Sequence, residues 1–139
     1  MKLVHRLALA ATLVLAVTAA ASAQTVRLKV TVPFRFTVNH TTLPAGEYSV
    51  KTADNGGTEM LAIYNLNSKS THLILSNSCQ SVNAAGQTRL VFHRYGKRNF
   101  LSQIWIKGNN AGREFRPGAE ETEVARNFAM QRVLVAADQ

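Results

Sequence analysis

The sequence predicts a single mainly-β domain: an antiparallel sandwich or small open barrel of about seven or eight strands, with one short helix near the C-terminus. Two stretches and one absence point there. Residues 25–39 alternate by parity: Val26, Leu28, Val30, Val32, Phe34, Phe36 and Val38 are apolar, whereas Thr25, Arg27, Lys29, Thr31, Pro33, Arg35, Thr37 and Asn39 are polar or proline. A side-chain period of two turns one pleated face to a core and the other to water. Residues 88–95 and 99–106 then form two arms dense in β-branched and aromatic residues around Gly96-Lys97-Arg98, the pattern of a central hairpin. No internal repeat, low-complexity run or domain linker interrupts the chain.

The chain has 139 residues, and its first 23 read as an export signal. Lys2, His5 and Arg6 make a positive start, residues 7–20 are apolar, and Ala21-Ser22-Ala23 offers a cleavage site before Gln24. The apolar run is interrupted by Thr12 and Thr18 and is shorter than the ~20 residues of a spanning helix. The expected organisation is therefore a cleaved leader over 1–23 and a β-rich domain over 24–139, large enough for one core. The expected destination is periplasmic or extracellular, with no membrane-spanning segment after cleavage.

Fifteen extended residues would span roughly 50 Å, longer than an ordinary strand. Pro33 cannot donate a ladder hydrogen bond and belongs at a bend or edge. Residues 25–32 and 34–39 are thus expected as two strands hinged at Pro33 with the same face inward. One strand can in this way serve two sheets or turn a barrel corner. Leu43-Pro44-Ala45-Gly46 makes a tight turn into a strand over 47–52, with Tyr48 and Val50 inward. Asp54-Asn55-Gly56-Gly57 is a second turn. Residues 58–65 carry apolar side chains of both parities, which suggests burial on both sides. Residues 71–76 form a further strand, and 77–87 and 107–112 read as loops. Ala119-Glu120-Glu121-Thr122-Glu123 suits the first turn of a helix to about Asn127, because acidic residues favour the positive end of the helix dipole. Residues 131–136 fit either a strand or a continued helical stripe through Val124 and Phe128; the strand is preferred.

Three segments carry a resemblance: Val32-Pro33-Phe34-Arg35-Phe36, Leu43-Pro44-Ala45-Gly46-Glu47-Tyr48, and Phe92-His93-Arg94-Tyr95-Gly96 with Phe100-Leu101-Ser102-Gln103-Ile104-Trp105. Together with Gly112-Arg113-Glu114 they resemble an uncharacterised family of small secreted bacterial proteins. The resemblance implies a compact β-rich domain and brings no catalytic residue, substrate or cofactor.

The chain carries 16 basic and 8 acidic residues; without Lys2 and Arg6 of the leader, 14 face 8. Such a balance attracts anionic envelope polymers, lipid head groups or acidic surfaces. Export removes the protein from nucleic acid. Arg94, Lys97 and Arg98, beside Tyr95 and Phe100, form a basic hairpin tip that could contact an anionic surface. The competing and preferred reading is a charged, soluble turn that discourages edge pairing. Phe34, Phe36, Tyr48, Phe92 and Trp105 could line an apolar ligand cavity if the sheet closes, but a domain of this size needs them to fill its core.

No catalytic residue, metal site or cofactor is expected. His40, His72 and His93 lack ligand spacing. Cys79 is alone, forms no intrachain disulfide, and suits a small buried hydrophobe. No nucleophile motif is present, and Glu47, Asp54 and Glu59 fall at strand and turn edges. The expected function is a secreted or envelope structural or interaction protein without catalytic activity. The alternative is a carrier of a small apolar or amphipathic ligand, which would need a pocket of several hundred Å³.

Overall fold

The computed structural model describes residues 26–53 and 60–139. The leader expected over 1–23 and the turn expected at Asp54-Asn55-Gly56-Gly57 lie outside the described residues. In chain order the elements are β1 (Arg27–Val32), β2 (Phe36–Val38), β3 (Thr41–Leu43), β4 (Gly46–Thr52), β5 (Met60–Asn65), β6 (Ser70–Leu75), β7 (Asn77–Gln80), β8 (Arg89–Tyr95), β9 (Arg98–Trp105), β10 (Ala111–Glu114), α1 (Ala119–Ala125) and β11 (Met130–Ala136). The first sheet has the order β1-β4-β5-β6, and the second β11-β8-β9-β10-β7, with β2 and β3 attached to β9. The two sheets pack as a sandwich and do not close into a barrel.

The alternation of 25–39 becomes two strands in two sheets. Leu28, Val30 and Val32 of β1 face the core from the first sheet, while Phe36 and Val38 of β2 face it from the second. The break falls at residues 33–35, where proline interrupts the ladder. The pairing is antiparallel apart from parallel contacts of Thr37 with Phe100 and of Ala85 with Lys107. A second crossing joins β6 to β7 through the buried Ser76, so one nearly continuous strand leaves the first sheet and enters the second.

Among the described residues eleven strands are present rather than seven or eight, because β3, β7 and β10 are short and weakly patterned. Asn77-Ser78-Cys79-Gln80 was expected as loop; instead it pairs along β10, Cys79 opposite Gly112. Its small polar side chains carry no apolar period, and the backbone ladder alone defines it. The loop expected over 107–112 gives way to a strand at its end: residues 111–114 are held by β9 on one side and β7 on the other. The ambiguous C-terminal segment is a strand: β11 pairs in register with the whole of β8 and lays Val133 and Val135 on the core.

Geometry calls for glycine at positions 96 and 112, each for a different reason. Gly96 has φ +60° and, with Lys97, makes the two-residue loop between Tyr95 and Arg98. A glycine first in such a loop supplies the positive φ that matches strand twist. At Gly112 a β-carbon would lie 2.7 Å from the Ile104 carbonyl oxygen and 2.7 Å from the Trp105 ring. The indole lies across the bare backbone there.

Candidate functional site

The hairpin tip is built by β8 and β9. Arg94 donates through Nε to Asn99 Oδ1 at 2.6 Å, and its guanidinium lies 5.0 Å from the centre of the Phe34 ring. Arg98 forms an ion pair with Glu120 at 2.6 Å and sits 5.3 Å from the Phe100 ring centre. Two of the three basic tip residues are thus engaged within the fold. Lys97 is exposed and makes no ion pair among the described residues. A cleft of about 400 Å³ beside it is lined by Arg35, Thr37, Lys97, Arg98, Asn99 and Glu120.

Around this tip lies a surface that reading the sequence missed. Phe128 rests its ring against Gly96, 3.4 Å from where a β-carbon would stand. It is nonetheless 54% exposed, and Met130 and Leu134 are 50% and 52% exposed. Met130, Arg132 and Leu134 alternate onto one face of the edge strand β11, opposite Tyr95, His93 and Val91 of β8. Arg126, at the end of α1, and Arg132 are exposed and make no ion pair among the described residues. The signal was present in the odd-even pattern of 130–136, but it was masked by the competing helical stripe through Phe128.

The aromatic candidates divide. Phe36 stacks edge-to-face on Tyr48 and on Phe92, with centroids 5.4 Å apart in each pair. Phe34, partly buried, meets Phe92 at 5.0 Å. Tyr48 donates its hydroxyl to the Pro44 carbonyl and accepts from Asn65 Nδ2 at 3.1 Å. A tyrosine returning to the backbone a few residues upstream pins a β-corner, which explains the Pro44–Tyr48 spacing physically. Burial pushes the Tyr48 phenol above its ordinary pKa, partly offset by the Asn65 hydrogen bond. Trp105 stands apart, on the outer face of the second sheet with Val91, Ala85 and the partly buried Cys79. Its indole donates to Gln103 Oε1 at 3.0 Å.

The acidic helix segment is used in two directions. Glu120 faces Arg98, whereas Glu121 is only 6% exposed and turns onto the second sheet. There it accepts from the Tyr95 hydroxyl at 3.2 Å and lies 3.1 Å from His93 Nδ1. Burial and the adjacent carboxylate raise the Tyr95 pKa. His93 and Glu121 line a cleft of about 270 Å³ with Ser102, Gln103 and Glu114. Through its contacts with Tyr95 and His93, Glu121 ties α1 to β8. Burial is the main cause that raises the Cys79 thiol, with Glu114 adding to it. A raised thiol pKa lowers the thiolate fraction that a nucleophile requires. His40 lies in the β2–β3 turn, His72 in β6 and His93 in β8. Among the described residues no three His, Cys, Asp or Glu side chains group to hold a metal ion, and no helix is long and apolar enough to cross a membrane.

No family model, no curated protein and no solved structure matches the chain.

Proposed function

We infer that the protein is an exported, non-catalytic interaction domain of the cell envelope. The observation that supports this reading is the placement of its large apolar side chains. Phe36 contacts both Tyr48 and Phe92 in the interior, where a carried ligand would have to sit. Meanwhile Phe128, Met130 and Leu134 stand half in water beside cations that have no ion pair among the described residues. Exposed apolar groups gathered beside charge mark an interaction surface more readily than a carrier's pocket. An excess of basic residues favours anionic polymers or membrane surfaces as partners.

The test is cell fractionation followed by native mass spectrometry of the protein from its own envelope. The expected result is an envelope-associated chain beginning at Gln24, with no small molecule bound in stoichiometric amount. A tightly held apolar ligand would turn the reading into a carrier. A species retaining Met1 to Ala23 would remove the cleaved leader from it.

A further inference from the structure

We propose that the hairpin-tip end of the second sheet is a docking surface for an anionic lipid bilayer. Phe128, Met130 and Leu134 enter its interfacial layer while Lys97, Arg126 and Arg132 meet its phosphates. This rests on the interaction-domain reading and names the surface and its partner.

Charge complementarity selects the partner. Lys97, Arg126 and Arg132 make no ion pair among the described residues, and the acidic neighbours at this end are few. Glu120 is tied to Arg98, Glu121 is buried against Tyr95 and His93, and Glu123 precedes Arg126 by one turn. Cations close to an anionic leaflet each strengthen binding about fivefold. A second copy of the chain meeting tip to tip would oppose the same cations and be repelled. A soluble polyanion would satisfy the cations but leave Phe128, Met130 and Leu134 in water. Only a partner with charge outside and hydrocarbon beneath satisfies both sets, the arrangement that holds interfacial segments at a bilayer.

The local structure presents these groups firmly. The Gly96-Lys97 loop is two residues long, and the Phe128 ring lies against Gly96. The aromatic side chain is therefore held at the turn rather than free to fold away. Met130 and Leu134 share their strand face with Arg132 by the period of two. On β11, two apolar groups and one basic group thus share a face.

The experiment measures co-sedimentation of the purified protein with phosphatidylglycerol–phosphatidylcholine vesicles and with phosphatidylcholine alone, at low and high salt. Dextran sulfate serves as the soluble polyanion. Binding is expected to the anionic vesicles only and to weaken with salt, since exposed charges are screened over about 8 Å at physiological ionic strength. Lys97→Ser/Arg126→Ser/Arg132→Ser should weaken it roughly a hundredfold, and Phe128→Ser/Met130→Ser by roughly tenfold. Two controls carry equal changes on the outer face of the first sheet. Arg27→Ser/Lys29→Ser/Lys51→Ser removes the same charge, and Leu73→Ser/Leu75→Ser removes similarly exposed apolar groups. Both should bind more tightly than their tip counterparts. All substituted side chains are exposed, and circular dichroism establishes that each variant is folded.

Absent vesicle binding overturns the proposal, as does equal loss from the first-sheet charge variant. Unchanged binding of Phe128→Ser/Met130→Ser, with dextran sulfate bound as well as vesicles, would make the partner a polyanion. Self-association lost in that variant would make it a second copy. Fractionation separates the two levels of inference. If wild type and tip variants remain equally in the envelope, this surface falls while the interaction-domain reading stands. If wild type is not in the envelope, the broader reading falls.

Discussion

Two buried apolar clusters of the molecule lie on opposite sides of one sheet and are built differently. Phe36, Tyr48 and Phe92 fill the space between the sheets, each supplied by a paired strand. Trp105 lies on the far face of β9, over Gly112 and beside Ala85 in the 81–87 segment. The first cluster is closed by two ladders of hydrogen bonds. The second is closed by a connecting segment and a glycine. Aromatic content alone does not distinguish them; the element that supplies the cover does.

That contrast can be broken at several points. Phe36→Ala should cost about 3–5 kcal/mol in urea unfolding, because two sheets cannot collapse onto the vacated volume. A loss below ~1 kcal/mol would place Phe36 in an open pocket and erase the distinction. Trp105→Ala should cost less, about 3 kcal/mol, since the 81–87 segment can settle into the gap. Its signature is local: amide exchange should accelerate around Ala85 while β4 and β5 stay protected. Gly112→Ala should cost about 1–3 kcal/mol by driving a methyl against the Ile104 carbonyl and the indole. Pairing it with Trp105→Ala should relieve part of that cost, which a double-mutant cycle would read.

The smallest change sharpens the comparison through pH. Tyr48→Phe should cost about 1 kcal/mol, leaving Asn65 Nδ2 without its buried partner. Burial raises the phenol pKa of Tyr48, and burial with the Glu121 carboxylate raises that of Tyr95. A raised folded-state value means the fold favours the protonated phenols. Their contribution is full below the unfolded phenol value of about 10 and is lost as pH rises through the folded values. The melting temperature should therefore fall at alkaline pH, and Tyr48→Phe should flatten that fall. An unchanged alkaline profile would show that Tyr48 adds nothing to it.

How much was legible follows from which atoms define each element. The strands from 25–39 announce themselves through side-chain period and the β8–β9 hairpin through the density of its β-branched and aromatic residues, and both hold. The short β7 and β10 are defined by backbone pairing alone, which leaves no mark on composition. Trp105 is buried as its chemistry predicts, but the parity of β9 places it in a smaller cluster on the opposite face of the sheet. A bulge near Val91 and Phe92 shifts register within the hairpin, so alternation counted from one end misplaces the other. At the tip, Arg94 and Arg98 are legible as cations but not as occupied ones, since Asn99 and Glu120 reach them only in the fold. Glu121 reads as a helix-start charge because its inward turn depends on Tyr95 and His93, 26 and 28 residues away.

The passage of the chain between sheets has a bearing on how the molecule comes apart. Residues 33–35 carry it from β1 to β2, and Ser76 carries it from β6 to β7. A third tie joins Lys29 of β1 to Asp138 through two backbone hydrogen bonds of 2.7 and 2.8 Å. Neither sheet can peel away while the other remains, because each would drag its neighbour's edge strand out of register. Unfolding should be one cooperative event, with amides of β5 and β8 exchanging at a common free energy. A protease would meet closed strands rather than a half-open sandwich, and resistance to cleavage would track the stability of the whole.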